Sequence, residues 1–209
     1  MKKKFLAALA IIALVGCSKV DDFISKSQLH NNNLYRDVNP GVYQIIVDGG
    51  AGTGWAYRDG YVVTNKHVVD SSNGIVLVKD SYGVVAVAEI VGSSEIYDIS
   101  VVKLPVGKPV KIPLSDELAI PGDLVYAFGN PSGLENTMTI GVVNGPPREE
   151  FIPHTAGIGP GSSGGPLVNY DGDVVGMNTM VLNSDFGVDI GFAITSVIME
   201  EEIEKIINE

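Results

Sequence analysis

Cysteine is nearly absent from this 209-residue chain, which has one, Cys17. A single thiol excludes an internal disulfide, and with only three histidines there is no Cys/His cluster for a zinc site. Basic residues are also scarce: 14 Lys and Arg stand against 25 Asp and Glu, a formal charge of −11. Phosphate backbones are held by clustered Lys and Arg, so no nucleic-acid partner is expected. Long apolar runs are missing too. The one uninterrupted stretch, Phe5–Val15, has eleven residues and is too short to span a bilayer as a helix. What the chain does contain is glycine (25) and proline (11) in a composition that is 45% hydrophobic. That combination describes a globular protein built from short strands and many turns.

The first residues form a separate unit of meaning. Met1-Lys2-Lys3-Lys4 followed by Phe5–Val15 has the basic start and apolar core of a signal peptide. It runs into Leu14-Val15-Gly16-Cys17, which resembles the bacterial lipoprotein box, where cleavage falls before the cysteine and lipid is attached to it. Residues 1–16 are therefore expected to be a lipoprotein signal and Cys17 the lipidation site. Residues 17–39, polar and rich in Asn, Asp and Ser, are expected to be a lipid-anchored tether with room for a short helix. Cleavage would remove three lysines and no acid, leaving 11 basic residues against 25 acidic ones, a formal −14. The expected location is the cell envelope. Ser18 after the cysteine resembles the signal for the outer membrane, facing the periplasm, if the host is Gram-negative.

From Val42 onward the pattern is short runs rich in Val, Ile and Tyr, cut by turn residues. Val42–Val47, Gly54–Tyr57, Tyr61–Thr64, Ile75–Val78 and Val84–Val91 form one series of expected strands. Leu124–Phe128, Met138–Val143, Leu167–Asn169, Val174–Met177 and Ile190–Ile194 form a second. Arg58-Asp59-Gly60 and Asp171-Gly172-Asp173 are expected hairpin turns. The segment from Leu104 to Asp123, with Pro105, Pro109, Pro113 and Pro121, connects the two series. No helical crossovers separate the strands, which excludes a parallel sheet. The expected fold is all-β, with two antiparallel six-stranded barrels at about 40–112 and 113–195. A C-terminal helix is expected over 196–208, where Val197, Met199, Ile203, Ile206 and Ile207 share one side and Glu200, Glu201 and Glu202 fall early.

Three motifs carry chemistry. Gly159-Pro160-Gly161-Ser162-Ser163-Gly164-Gly165-Pro166 sets a hydroxyl in a glycine-rich turn that leads into an apolar strand. A nucleophile of this type needs a turn whose amides converge on the oxyanion it creates. Ser163, directly before Gly-Gly-Pro, is the expected nucleophile. Thr64-Asn65-Lys66-His67-Val68-Val69 places a histidine where a strand gives way to a short turn, and a general base must exchange a proton with that hydroxyl. His30 lies in the tether and His154 reads as a strand residue. Tyr97-Asp98-Ile99-Ser100-Val101-Val102 sets a carboxylate at the mouth of an apolar strand, placed to orient the imidazole. Asp70, Asp80 and Glu95 are its rivals, and none opens so continuous a strand. No cofactor or metal enters this chemistry.

Taken together the three motifs resemble the HtrA (DegP/DegS) family of trypsin-like serine proteases, from about Asn39 to Met199. Gly52-Thr53-Gly54-Trp55, Ala127-Phe128-Gly129-Asn130-Pro131 and Gly191-Phe192-Ala193-Ile194 add to the likeness, and the order His, Asp, Ser suits it. The resemblance implies a serine endopeptidase domain over 40–209 acting on exposed or unfolded protein segments at a membrane surface. His67, Asp98 and Ser163 would be the catalytic triad. Gly161, Ser162 and Ser163 would form the oxyanion hole, with the first and third supplying the main amides. Met177 and Asn178 would belong to the strand that pairs with substrate. Gly157, Ile158 and Phe192 would shape the pocket for the P1 residue, the one just before the scissile bond. With no charge at Gly157, a small-to-medium apolar P1 residue is expected.

The sequence also departs from the family. Ser162 stands where Asn is usual, Gly159-Pro160-Gly161 replaces Asn-Pro-Gly, and the 209 residues leave no expected place for a PDZ domain. The altered oxyanion loop keeps a second reading in view, a weakly active or inactive protease-fold module that binds unfolded polypeptides. The expected partners are protein or peptide substrates and, through the N-terminal lipid, a membrane. The resemblance makes a homotrimer a candidate assembly.

Overall fold

The computed structural model describes residues 25–70, 72–105, 109–182 and 189–209. Cys17, the expected signal and the start of the expected tether lie outside these residues, as do residues 106–108 of the connecting segment. The chain divides into two compact units, Met1–Arg36 and Asp37–Glu209. Within the first, the described residues are helical, and that helix (α1) runs over 25–38.

Among the described residues the second unit carries twelve strands. Six of them, β1 (Val42–Val47), β2 (Gly50–Arg58), β3 (Tyr61–Thr64), β4 (Val76–Lys79), β5 (Val85–Ser93) and β6 (Ser100–Lys103), close into a barrel in the order β1-β2-β3-β6-β5-β4. All its pairings are antiparallel. Side chains alternate between the interior and the outside, as a closed barrel requires. Ile45, Ala56, Val62, Val76, Val78 and Val102 fill the interior.

The other six are β7 (Leu124–Gly129), β8 (Thr137–Val142), β9 (Phe151–His154), β10 (Pro166–Val168), β11 (Val174–Leu182) and β12 (Ile190–Thr195). They form a sheet in the order β8-β7-β10-β11-β12-β9. This sheet curls on itself, and its edges meet at a bridge between Val143 and His154. It is a half-barrel joined by that bridge rather than a second barrel with a continuous seam. Val125, Ala127, Ile152, Leu167 and Val175 form its core.

Two strands run at least four residues further than their sequence suggests. β2 begins at Gly50 rather than Gly54, because the glycine-rich start still pairs with β1 up to Val47↔Gly50. β11 continues past Met177 to Leu182, because β12 pairs with it as far as Leu182↔Ile190. Tertiary pairing outweighs weak local propensity at both places.

Helix α3 (Ser196–Asn208) packs against β5 and β6 of the barrel and against β11 and β12 of the half-barrel. Met199, Ile203 and Ile206 are buried, as expected, while Val197 is exposed. Glu202 also turns inward and accepts a 2.5 Å hydrogen bond from Ser94 Oγ. Tyr57 and Arg58 at the end of β2 each donate at 2.6 Å to the Glu204 carboxylate.

His154 on β9 is wholly buried, against Gly191 of β12, where any larger residue would collide with the imidazole. Its polar neighbours are the Asn178 side chain and the Ala156 carbonyl, and neither reaches regular hydrogen-bond geometry. Burial pushes the His154 pKa down to about 4, partly offset by those two neighbours. The folded chain thus refuses a proton that the unfolded chain accepts below its ordinary value of 6.5. Stability from this residue is complete above about pH 6.5 and declines as pH falls toward 4, by about 3 kcal/mol in all. Urea denaturation of the wild type and His154→Gln at pH 7 and pH 4 should show a pH-dependent loss smaller by about that amount in the variant. Equal losses would mean that the buried imidazole is not the source.

Candidate active site

The chemistry-bearing residues gather at one end of the strands, where the loops of the two sheets meet. His67 lies in the single helical turn α2 (Lys66–Val69) that follows β3. Asp98 lies two residues before β6, and β3 and β6 pair side by side, so the two loops emerge together. The Asp98 carboxylate holds His67 twice. Oδ2 lies 2.6 Å from ring Nδ1, and Oδ1 accepts the His67 backbone amide at 2.9 Å. Among the rivals, Asp80 uses Oδ1 to accept the Tyr82 and Val84 amides of its own turn. Asp70 acts on His67 only through its field.

The electrostatics follow from this pair. The Asp98 hydrogen bond holds the His67 pKa above 6.5, against the opposing pull of burial. Burial pushes the Asp98 carboxyl up, but the His67 ring and amide bonds outweigh it and hold it below the usual carboxylate value. With Nδ1 engaged, Nε2 is the ring nitrogen left for proton exchange.

Ser163 and His67 border the same small cavity, of about 120 Å³, with Val47, Ala51 and Val68 around it. The Ser163 hydroxyl donates a long 3.4 Å bond to the Thr179 carbonyl, and among the described residues no hydrogen bond joins it to His67. A serine χ1 rotation moves such a hydroxyl between staggered positions at little cost, and catalytic bonds are often long without substrate.

The loop that carries Ser163 is held by residues the sequence motifs do not single out. Thr53 on β2 is wholly buried, and its Oγ1 donates to the Gly161 carbonyl at 2.7 Å while accepting the Asn130 amide at 3.1 Å. Its backbone amide donates to the Ser163 carbonyl at 2.8 Å, and its own carbonyl accepts from Thr64 Oγ1 at 2.7 Å. Asn65, also wholly buried, donates through Nδ2 to the Asp98 carbonyl at 2.8 Å and to Thr179 Oγ1 at 3.0 Å. It therefore links the histidine turn, the aspartate turn and β11. Both residues lie inside quoted motifs, but a small polar residue in a strand, as Thr53, or at the cap of a short turn, as Asn65, carries no signal of such roles. Gly164, at φ +86, sits where a Cβ would overlap the Thr53 carbonyl and Thr64 Oγ1.

The three expected oxyanion residues are adjacent but not equivalent. The Ser162 amide donates to the Gly159 carbonyl at 2.8 Å and is already engaged. The Gly161 and Ser163 amides on either side have no acceptor among the described residues. Two amides without an acceptor thus flank one that is engaged.

On the other side of Ser163 lies a larger cleft of about 340 Å³, walled by Ile158, Pro160, Thr179, Met180, Val181 and Asp189. Of the residues expected to contact substrate, Ile158 borders it. Gly157 is exposed beside it, its carbonyl accepting from Thr139 Oγ1 at 2.8 Å. Met177 and Asn178 are wholly buried, and Asn178 N and O bond to Gly165 at 2.9 Å and Gly164 at 2.8 Å. Phe192 stacks edge-on against Phe151, 6.3 Å between centroids. β10 occupies the flank of β11 as far as Met177, so the edge open to an added strand starts at Thr179.

The Thr53 contacts predict a specific cost. Thr53→Val keeps the shape but leaves the Gly161 carbonyl and the Asn130 amide without their partner, which should destabilise the fold by about 2–4 kcal/mol. Thr53→Ser retains the hydroxyl and should cost about 1 kcal/mol or less. Thermal denaturation of both variants checks this, and equal losses would show that the methyl rather than the hydroxyl matters.

Comparison with known proteins gives a consistent picture. Residues 52–177 match the family model described as "Trypsin-like peptidase domain". A "Probable periplasmic serine endoprotease DegP-like" of Chlamydia trachomatis is 40% identical over 178 residues, 78% of this chain and 35% of that protein. The periplasmic serine endoprotease DegP of Salmonella typhimurium is 39% identical over 170 residues, 76% of this chain and 35% of its own length. The chain thus spans about a third of the length of these curated relatives. Among solved structures, a serine endoprotease from Yersinia pestis superposes with a TM-score of 0.79 at 33% identity, covering 85% of this chain and 66% of the other. An HtrA-type protease with tripeptide gives 0.78 at 29% identity, covering 84% and 63%.

Proposed function

Because this chain belongs to the trypsin-like peptidase domain family, we propose that it is a serine endopeptidase of the HtrA type. The reading rests above all on one observation: His67, held by Asp98, borders the same cavity as Ser163, which lies 96 residues further along the chain. In the mechanism, His67 Nε2 takes the Ser163 hydroxyl proton as Oγ bonds to the scissile carbonyl carbon. The carbonyl electron pair moves onto its oxygen, which the Gly161 and Ser163 amides receive. The imidazolium, stabilised by Asp98, then gives its proton to the leaving amine as the C–N bond breaks. Water, deprotonated by the same nitrogen, cleaves the acyl ester and restores Ser163.

Substrate would add as an extended strand along Thr179–Val181, which requires segments already free of their own fold. The relatives described as periplasmic agree with an exported enzyme, and we read Cys17 as its lipid anchor at a membrane surface. A homotrimer remains the candidate assembly. The binding-module reading draws its support from the hydroxyl that faces Thr179 rather than His67. It predicts peptide binding without digestion.

A fluorophosphonate probe should label the wild type and leave Ser163→Ala unlabelled, while casein is cleaved by the former alone. A wild type that binds casein but resists both label and turnover would instead support the binding module. The proton transfer has its own signature. Since His67 must be neutral to act and its pKa lies above 6.5, kcat/KM should fall as pH drops through that raised value. Asp98→Asn should lower kcat by about 10⁴-fold and move the acid limb to lower pH. An unmoved limb would exclude His67–Asp98 as the titrating pair.

A further inference from the structure

We infer that Glu202 on α3 is a positioning residue for the candidate acid–base pair, acting through Ser94 on the turn that presents Asp98; the inference rests on the endopeptidase reading above. In the sequence Glu202 reads as one of three acids near the start of a helix. Glu200 and Glu201 are exposed, but Glu202 is buried together with Met199, Ile203 and Ile206. These four positions form one stripe of the helix. A carboxylate in such a stripe is costly compared with an apolar side chain unless a specific partner compensates it. The partner here is Ser94, itself buried, whose hydroxyl donates to Glu202 Oε2 at 2.5 Å.

Ser94 has no polar group to spare. Its Oγ also accepts the amides of Ile96 and Tyr97, at 3.1 and 3.0 Å, which wraps the residues leading to Asp98 into a turn. Its amide donates to the Ile99 carbonyl at 2.9 Å and closes that turn from the far side of Asp98. Its carbonyl accepts from Lys66 Nζ at 2.9 Å, and Lys66 directly precedes His67. One serine therefore fastens both loops of the pair, and Glu202 fixes the rotamer of that serine. Donation to a carboxylate also makes Oγ a stronger acceptor for the two amides, since linked hydrogen bonds polarise one another. The charges that act on the His67 ring are those of Asp98 and Asp70, so Glu202 reaches it by position and not by its field.

The test follows casein digestion by the full chain, with kcat and KM measured across pH, alongside titration of the His67 ring by NMR. Glu202→Leu completes the apolar stripe, so the fold should survive, which thermal denaturation checks. It should lower kcat about tenfold and leave KM within about twofold of the wild type, because the strand edge at Thr179 is untouched. As Asp98 loosens, the His67 pKa falls from its raised value toward 6.5, and the acid limb of kcat/KM should move to lower pH with it. Ser94→Ala reads the same contact from the other side and should do the same. Because the two residues act as one unit, the double variant should be no slower than the poorer single one. Glu202→Gln keeps an oxygen acceptor and should hold kcat within about threefold of the wild type. Glu204→Ala frees the same helix from Tyr57 and Arg58 and should move neither kcat nor the acid limb. A folded Glu202→Leu with wild-type kcat and an unmoved His67 titration overturns the inference, as does an equal loss in Glu204→Ala. A wild type that neither digests casein nor takes the fluorophosphonate label sinks the endopeptidase reading, and the His67 titration then decides the positioning role by itself.

Discussion

The site depends on one buried side chain, Thr53. It belongs to the closed barrel, yet three of its polar contacts are made with the loops that surround the candidate nucleophile. A glycine-rich loop such as Gly159–Gly165 has many backbone conformations and little side-chain packing to choose among them. Anchoring the Gly161 and Ser163 carbonyls from outside fixes the direction in which the neighbouring amides point. Water cannot substitute at a wholly buried position, so the hydroxyl has no competitor for these contacts.

Asn65 performs the complementary task at the histidine. Without it, the loops of His67 and Asp98 would lose their hydrogen-bonded link to β11 at Thr179. With it, the acid–base pair and the open edge at Thr179 share one reference point. The two buried residues together convert a set of separate turns into a rigid frame, and such a frame is what orientation-dependent chemistry requires.

Much of the architecture was legible in the sequence. Strand runs rich in Val and Ile, the turn at Asp59-Gly60 and the amphipathic tail all state their structure locally, and α3 spans Ser196–Asn208 as its apolar spacing implies. The triad candidates were legible for a different reason, since nucleophilic chemistry tolerates few residue types in few contexts. What stayed hidden depends on partners far away in the chain. The extension of β11 to Leu182 is dictated by β12, and the engagement of Ser162 follows from a loop geometry that a Ser-Ser pair does not encode. The incomplete seam of the half-barrel depends on how far β8 and β9 converge, which no local pattern records.

The position of α3 has a consequence for how the protein holds together. One face of this single helix rests on strands from both sheets, with Ile203 and Ile206 inside and Glu202 and Glu204 tying it to Ser94, Tyr57 and Arg58. Peeling it away would expose its own buried apolar side chains and the surfaces of the strands from both sheets that they pack against. The thirteen residues of α3 thereby act as a keystone that couples the barrel to the half-barrel.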